Sequence, residues 1–495
     1  MQRQFDPCTL ALSVMSPKNC ALILALGASL LASCSLTTYG DDACSSNGDC
    51  RAAFGFGATC GENGLCSGGG MNARCTRTFP RDLFTRPQLY TDSIVFGVIV
   101  NESDPAEVAN ENAIELAVLQ VNDFEGANGR PFAAVFCNNA VDSDIDTATE
   151  ELATAALGRY LSVDLGVPAI VGPPTSSQAE SLINAVSSLG TLMISHSATS
   201  TALTTLDTEG LFWRTCPPDS EQGVAIADDL MARSVARVAM IYEEGPYGTG
   251  LAGVFTNAFS GTTTPFPFNL GNNSMRDAQA LAVGGRAAEF DEILFISSDF
   301  EDARAFLRFT AADAALNGKQ IFLTDTAAGS PAFLTDTLAA PLFPRIRGSR
   351  PTRATGTVYS QFRSAYLARF MVPEEEFDRY QYAPYAYDAA WLVFAGAVWS
   401  VQARDELRGS SMADGLKRVS STRTAALRFD LLPGSWDGLS AELTAGRDVN
   451  VAGASGTLEF DTTTDETSGP VDVWTIDSIS DPPAIVVDRV VAPAR

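Results

Sequence analysis

The feature that most constrains this fold is an alternation of short apolar segments and amphipathic segments that begins at Ser93. Apolar runs of about five to eight residues are each followed by a stretch whose apolar positions recur with helical spacing. The expected strands of the first half are SIVFGVIV (93–100), PFAAVFC (131–137), PAIVG (168–172) and TLMIS (191–195). Strands that alternate with helices in this way predict βαβ units and a mainly parallel sheet.

The alternation is interrupted at LFWRTCPPDSEQG (211–223) and then restarts. The expected strands of the second half are ARVAMIY (236–242), EILFIS (292–297) and QIFLTD (320–325). A long apolar helix at 382–403 and a hairpin-like stretch at 449–464 complete the chain. Two successive α/β halves of similar length predict two lobes, and a cleft between lobes is a common place for a small ligand.

The N-terminal residues indicate export. The apolar run at 21–33 has 13 residues, fewer than the roughly 20 that span a bilayer, and predicts the core of a secretory signal. It ends in Leu-Ala-Ser-Cys, which resembles a lipobox, so residues 1–33 are expected to be removed and Cys34 to carry a lipid. A plain signal peptide that ends near a cysteine is the alternative, and Met15 is a second candidate for the start of translation. No other stretch is long and apolar enough to cross a membrane, so the lipid is the only membrane attachment expected.

Cysteine usage also indicates an oxidising compartment. Of 10 cysteines, five crowd a short segment rich in Gly, Asn and Asp and predict a small disulfide-stabilised module: Cys44, Cys50, Cys60, Cys66 and Cys75. Zinc is disfavoured there because the spacing has no CxxC pairs and no histidine is near. Cys137 and Cys216 stand alone in the large domain and are candidates to pair with each other. The count of cysteines left after processing is odd, so one is expected to be free or to bridge two molecules.

Composition and motifs exclude several classes of function. The net charge of −26 disfavours binding to nucleic acids or to anionic lipid surfaces. The chain has a single histidine and no GxSxG, P-loop or HExxH motif, so neither an enzyme activity nor a cofactor is expected. The DSDID segment (142–146) alternates carboxylates like a calcium loop, but Thr147 stands where the turn requires Gly. A solvated loop is therefore expected there, and no metal site is predicted.

A cluster of hydroxyl side chains follows one expected strand, in VPAIVGPPTSSQAES (167–181). Thr175, Ser176 and Ser177 lie where the carboxyl end of the strand meets the amino end of a helix. Thr175 and Ser177 each begin a possible capping box, T-x-x-Q and S-x-x-E. The free N–H groups and the positive dipole of the same helix end also favour binding of a carboxylate. Capping and ligand binding both remain open from these residues alone.

Six segments, in the correct order across residues 93–480, resemble motifs of the type I periplasmic binding proteins, the Leu/Ile/Val-binding family. They are NAIELAVLQVNDFEGANGRPF (112–132), VPAIVGPPTSSQA with LMISHSATSTALT (192–204), LFWRTCPPDSEQG, VAMIYEEGPYGTGL (239–251), APYAYDAAWLVFAGAV (383–398) and GASGTLEFD (453–461). The resemblance implies an α/β fold of two Rossmann-like lobes with parallel central sheets, joined by hinge strands. It also implies reversible capture of a small solute.

The resemblance further implies a set of ligand-binding residues. Hydroxyl groups of the first lobe would bind an α-carboxylate: Ser176, Ser177, Ser197 and Thr199. In the second lobe, Tyr247 would cover the ligand and Asp325 would bind an α-ammonium group. Asp299 and, more loosely, Ser103 are further candidates for ligand contact. His196 replaces the proline of the family motif and is expected either to pack as a polar residue or to contact the ligand.

The expected organisation is a leader, a Cys-rich spacer and linker, and a bilobal domain, at 1–33, 34–92 and 93–495. The first lobe is expected to comprise about 93–212 and part of 325–400, and the second about 217–325 and part of 400–495. The resemblance implies a lipid-anchored protein of the bacterial cell envelope that delivers an amino acid or a similar polar metabolite to an ABC permease. The same fold also serves sensors and protein-binding regulators of the envelope, and the sequence leaves that alternative open.

Overall fold

The computed structural model describes residues 44–493, apart from 55, 69–70, 142–148, 207, 331, 405, 422, 424 and 462. The expected leader, Cys34 and the DSDID segment lie outside the described residues. The strands are β1 (Ala58–Cys60), β2 (Cys66–Gly68), β3 (Arg77–Phe79), β4 (Ile94–Val100), β5 (Phe132–Asn138), β6 (Ala169–Val171), β7 (Leu192–Ser195), β8 (Phe212–Arg214), β9 (Arg237–Glu244), β10 (Thr262–Asn269), β11 (Glu292–Ile296), β12 (Gln320–Leu323), β13 (Ile346–Pro351), β14 (Leu427–Asp430), β15 (Val449–Ala452), β16 (Val471–Asp477) and β17 (Ala484–Val491).

The α-helices of the described residues lie mainly between the strands. They are α1 (Asn47–Phe54), α2 (Pro105–Asn122), α3 (Glu150–Arg159), α4 (Ser176–Val186), α5 (Thr201–Thr204), α6 (Asp219–Ala232), α7 (Pro246–Ala258), α8 (Asn273–Gly285), α9 (Phe300–Ala312), α10 (Asp325–Gly329), α11 (Thr357–Phe370), α12 (Glu374–Phe377), α13 (Ala383–Arg404), α14 (Gly409–Leu416) and α15 (Trp436–Thr444). None of them combines the length and the apolar character that crossing a membrane requires.

The first lobe is built on a six-stranded sheet of order β3-β5-β4-β6-β7-β8. Strands β4 to β8 pair in parallel, and β3 is antiparallel at the edge. All seven residues of β4, IVFGVIV, are buried because helices cover both faces of the sheet, which explains the continuous apolar run in the sequence. The chain returns to this lobe after residue 356, and the aromatic rings of Trp391, Phe394 and Trp436 join its core beside Phe132.

The second lobe is built on a seven-stranded sheet of order β10-β9-β11-β12-β13-β16-β17. Its first five strands are parallel, whereas β16 and β17 are antiparallel additions from the C-terminal end. Separate apolar clusters cover its two faces, and the rings of Phe295 and Phe306 stack at 4.3 Å in one of them. The two α/β lobes with parallel central sheets expected from the alternation are confirmed.

In the part of the chain that the structure describes, three crossing segments connect the lobes, at 215–218, 352–356 and 463–470. They lie side by side, because the Thr352 N–H donates to the Pro470 carbonyl at 2.9 Å and the Thr467 hydroxyl donates to the Thr215 carbonyl at 3.2 Å. Hydrogen-bonded crossings of this kind allow the lobes to rotate while they remain in register.

The Cys-rich segment contacts the first lobe. Disulfide Cys50–Cys66 joins α1 to β2, and Cys44–Cys60 joins the chain just before α1 to β1. These adjacent bridges bring three of the sulfurs within 4.8 Å of one another. The Arg51 guanidinium donates to two backbone carbonyls of the first lobe, those of Val163 and Asp164, at 3.2 and 3.0 Å. The segment expected to be a spacer therefore packs on the lobe, and β3 within it completes the lobe's sheet.

One disulfide expectation is wrong. Cys137 pairs with Cys75 across 62 residues and not with Cys216, which is a buried free thiol. Cys137 lies on β5 next to β3, so strand pairing brings Cys75 within reach, with the two Cα atoms 4.0 Å apart. Among the described residues, Cys216 is the cysteine without a disulfide partner, as the odd count of cysteines predicts.

Candidate functional site

The candidate site is the cleft between the lobes, where the carboxyl ends of the parallel strands of both sheets meet. In open α/β sheets this edge is where ligands bind. The lobes are in direct contact there, because the Ser200 hydroxyl at the start of α5 donates to the Pro246 carbonyl at the start of α7 at 2.6 Å. Helices α4 and α7 also approach each other, and a Cβ atom added to Gly245 would lie 3.6 Å from the Ser177 hydroxyl.

The hydroxyl cluster of the first lobe is held by internal hydrogen bonds. Thr175 caps α4 by accepting from the Gln178 N–H at 3.4 Å, which is one half of the predicted T-x-x-Q box. The other half is absent because the Gln178 side chain donates to Glu150 at 2.7 Å, and the alternative S-x-x-E box is absent because Ser177 lies inside α4. The buried Ser176 hydroxyl accepts from the Ser200 N–H at 3.1 Å, and Ser197 donates to the Pro174 carbonyl at 2.8 Å. These contacts join the loops after β6 and β7 into one wall of the cleft.

Tyr247 and Asp325, both named from the sequence, are in contact with each other. The Tyr247 hydroxyl donates to Asp325 Oδ1 at 2.8 Å, and Gln222 Nε2 donates to the same oxygen at 3.2 Å. Tyr382 directly precedes α13 of the first lobe, and its hydroxyl donates to Asp325 Oδ2 at 2.6 Å. Burial and the Asp325 charge raise the pKa values of both tyrosines. Gln222 lies in a segment that the resemblance covers and Tyr382 directly precedes one, but nothing local marked them as partners of Asp325.

Asp219 lies beside Thr199 at the junction of the lobes. Its N–H donates to the Thr199 carbonyl at 2.8 Å, and its side chain is completely buried at the start of α6. Burial raises the pKa of Asp219 to about 8, and the nearby Asp325 carboxylate adds to the shift, while the Thr199 hydroxyl opposes it. Sequence reasoning did not select Asp219, although it lies within the crossing motif LFWRTCPPDSEQG.

Asp299 lies at the start of α9 in the second lobe. It caps α9 by accepting from the Glu301 N–H at 2.8 Å, and burial raises its pKa. Burial also raises the pKa values of Asp104 and Glu150 to about 6, and the Asp299 charge contributes to both shifts.

Two other residues named from the sequence lie at the edges of this arrangement. Ser103 is exposed, and its hydroxyl contacts the side chain of Asn101 in the loop after β4. His196 is completely buried after β7, and its Nε2 is 3.4 Å from Glu107 Oε2. His196 thus packs as a polar residue against α2.

Comparison with known proteins identifies the family to which this architecture belongs. Residues 109–479 match the model of the family described as the receptor family ligand binding region. A Leu/Ile/Val-binding protein homologue of Brucella melitensis is 28% identical over 211 residues, which are 42% of this chain. The match spans about half of that relative, 54% of its length.

Two solved structures share the fold. The branched-chain amino acid transporter substrate-binding protein of Streptococcus pneumoniae, in complex with isoleucine, has a TM-score of 0.58 at 19% identity, covering 80% of this chain and 99% of its own. A solute-binding protein of R. palustris, in complex with 4-hydroxybenzoate, has a TM-score of 0.62 at 13% identity, covering 81% of this chain and 98% of its own. The family model covers most of the chain, and this chain therefore belongs to the receptor ligand-binding region family, with the fold of the type I periplasmic binding proteins.

Proposed function

We propose that this protein is an exported solute-binding protein that holds an amino acid or a similar small polar metabolite between its lobes and delivers it to an ABC permease. The observation that carries the proposal is the meeting of both parallel sheets, by their carboxyl ends, at one cleft with a hydrogen-bonded hinge. The similar proteins support it, because they are named for amino acid binding or for ABC transport.

The predicted site residues fit a role in closure. Ser176, Ser197 and Thr199 form the wall of the first lobe, and Tyr247 and Asp325 form part of the second. A ligand that contacts both walls favours the closed arrangement by its difference in affinity for the closed and open forms. A membrane partner can then distinguish the loaded protein from the empty one by shape.

Binding is tested by thermal shift of the purified full chain against amino acids, amides and small carboxylates. A ligand at 100 times its dissociation constant should stabilise the protein by about 2.7 kcal/mol. Ser176→Ala and Thr199→Ala should each lower the affinity for a ligand found in this screen. Ser364→Ala, on the outer face of α11, should leave that affinity unchanged. Affinity that is intact in both cleft variants would show that the site lies elsewhere.

We also propose that Cys34 carries a lipid and holds the protein at the surface of a membrane of the cell envelope. The support is the Leu-Ala-Ser-Cys sequence behind a short apolar run. Growth with a radiolabelled fatty acid should label the protein, and Cys34→Ser should abolish the label. Retention of the label in that variant would refute the anchor.

A further inference from the structure

The Cys-rich module, residues 44–68, is docked on the end of one helical segment of the first lobe. Helix α3 continues as a π-helical turn, Tyr160–Leu165, which ends at Gly166 in the left-handed conformation. The Arg51 guanidinium donates to two carbonyls near the end of this turn, at 3.2 and 3.0 Å, and a cation is favourable at the C-terminus of a helix. A Cβ atom added to Gly166 would lie 2.3 Å from that guanidinium, so the module and the lobe fit closely.

This docking point lies at the pole of the first lobe that is remote from the cleft. A helix that connects two parallel strands returns the chain to the amino ends of the strands, whereas the cleft lies at their carboxyl ends. The end of the segment at Gly166 directly precedes β6 and so lies at the amino edge of the sheet. The ring of Phe56 in the module stacks on Phe84 at 5.7 Å, in the connection that enters β4 at the same edge.

The docked module leaves only a short tether to the proposed lipid. Cys44, the first residue of the module, is 10 residues from Cys34, and a chain of that length spans at most about 35 Å. A free spacer would extend the tether to Arg77 at the start of β3, 43 residues from Cys34, with a span of about 150 Å. Docking therefore keeps the remote pole of the first lobe near the membrane.

The amino edge of the first sheet also exposes a row of large apolar side chains. Each of four adjacent parallel strands has one within the eight residues before it: Phe124 before β5, Leu89 before β4, Val163 before β6 and Leu189 before β7. Between 36% and 60% of each residue is exposed. In the second lobe, the described residues in the same stretch before β9, β10, β11 and β12 include no such side chain, and Leu338 precedes β13. A row of this kind is typical of a contact surface.

We propose that the module and this amino edge form a membrane-facing base, with the apolar row against the lipid surface and the cleft pointing away from the anchoring membrane. The inference rests on the proposed lipid at Cys34. A lipid surface covers the row because the short tether brings it to this pole, and a weak apolar contact becomes stable when an acyl anchor accompanies it. The second lobe is then free to move, and solute enters on the side remote from that membrane.

The test is energy transfer from a fluorescent thiol label on the lipidated full chain to a headgroup dye in phosphatidylcholine vesicles. Ser188→Cys gives an exposed labelling position before β7, and Ser260→Cys gives one before β10 at the opposite pole. Cys216 is buried and should not take the label. Transfer from the Ser188→Cys label should be about fivefold more efficient, since the strands of both lobes separate the two positions. Equal or reversed efficiencies overturn the inference. A protein without lipid overturns it together with the anchor, and solute binding in the thermal-shift screen then still stands.

The apolar row is tested by Leu89→Ser. This variant should lower the transfer from the Ser188→Cys label about twofold, because apolar area is lost from the contact. Leu338→Ser is the matched control, since Leu338 is 61% exposed and Leu89 is 60% exposed, and it should leave the transfer unchanged. A dimer of the Cys34→Ser protein in solution that Leu89→Ser dissociates would assign the row to a second copy of the chain and overturn the inference.

The docking contact is tested by Arg51→Ala. Release of the module lengthens the tether, so the labels at the two poles should transfer with nearly equal efficiency in this variant. Arg159→Ala, which changes an exposed arginine of α3, is the control and should preserve the difference. A fivefold difference that survives Arg51→Ala, together with full transfer in Leu89→Ser, would show that neither contact orients the protein.

Discussion

The Ser200 hydroxyl of the first lobe donates a hydrogen bond to the Pro246 carbonyl of the second at 2.6 Å. Ser200 also caps α5 by accepting from the Ala202 N–H at 3.1 Å. One side chain thus begins a helix in one lobe and contacts the other lobe, so this bond favours the arrangement of the lobes seen here.

Loss of this hydroxyl should favour the open form. Ser200→Gly removes the interlobe bond and retains a residue that is tolerated at a helix cap, so ligand affinity should fall about threefold to tenfold, the equivalent of roughly 0.5–1.5 kcal/mol. The radius of gyration of the loaded protein, measured by small-angle scattering, should increase. A loaded Ser200→Gly protein as compact and as tight-binding as the parent would contradict this.

Tyr382 connects the lobes through Asp325. Tyr382→Phe removes the donor to Asp325 Oδ2, and we expect it to lower the free energy of unfolding by about 1–3 kcal/mol, since a buried acceptor is left without its partner. Tyr247→Phe removes the other hydroxyl from the same carboxylate. The two changes should be non-additive in urea unfolding, because both act on one group. Strictly additive effects would show that the hydroxyls act independently.

Acidic pH should stabilise the protein without ligand. Burial raises the pKa values of Asp219 and Glu111 to about 8, and those of Glu243 and Asp388 to about 7. The folded state therefore binds more protons than the unfolded chain, whose carboxyl groups titrate near pH 4, and stability is lost as pH rises through 7 and 8. Because each raised pKa lowers the free energy of unfolding as pH increases, the melting temperature should fall by several degrees between pH 5.5 and 8.5.

Asp219→Asn isolates one part of that pH dependence. The amide cannot ionise, so the variant should be more stable than the parent at high pH, and the two proteins should converge at low pH. The groups whose charges act on Asp219 are Asp325, Arg214 and Glu243. A variant with the same slope against pH as the parent would exclude Asp219 as a source.

The Cys75–Cys137 disulfide should contribute more to lobe stability than the bridges of the Cys-rich segment. It closes a loop of 62 residues and attaches β3 to the sheet, so replacing both cysteines by serine should cost about 4 kcal/mol in urea unfolding of the first lobe. The matched control, Cys44→Ser with Cys60→Ser, opens a bridge of separation 16 outside the lobe sheet and should leave the main transition in place.

Free-thiol titration checks the same assignment. Cys216 is completely buried, and burial raises its pKa to about 12, so a thiol reagent should not modify it in the native protein. One thiol per processed chain should react after denaturation without reductant, and Cys216→Ala should remove that signal. A thiol that reacts in the native protein would contradict the assignment of Cys216 as the buried free cysteine.

Local sequence patterns were enough for seven central strands, β4 to β7, β9, β11 and β12, whereas β10, β13, β14, β16 and β17 were not predicted. The run IVFGVIV forms β4 because a strand buried on both faces contains only apolar residues, and Thr175 begins α4 because its side chain reaches an N–H three residues away. These signals depend on neighbours in the chain, so they can be read without the tertiary structure. The resemblance to known motifs likewise identified Tyr247, Asp325 and the crossing segment.

Contacts between distant residues were decided only by the tertiary structure. The Tyr-Asp-Ala helix and the terminal Gly-x-x-Gly hairpin were separate motifs in the sequence, yet Asp388 accepts from the N–H groups of Ala454 and Ser455 at 2.7 and 2.8 Å. Gly453 is required there because a Cβ atom would lie 2.1 Å from the Asp388 carboxylate. The pairing of Cys137 with Cys75 and the hydrogen bond from Tyr382 to Asp325 belong to the same class. Each of these contacts depends on the order of the strands in a sheet or on how the lobes meet. The sequence does not show either, because the contacting residues lie far apart along the chain.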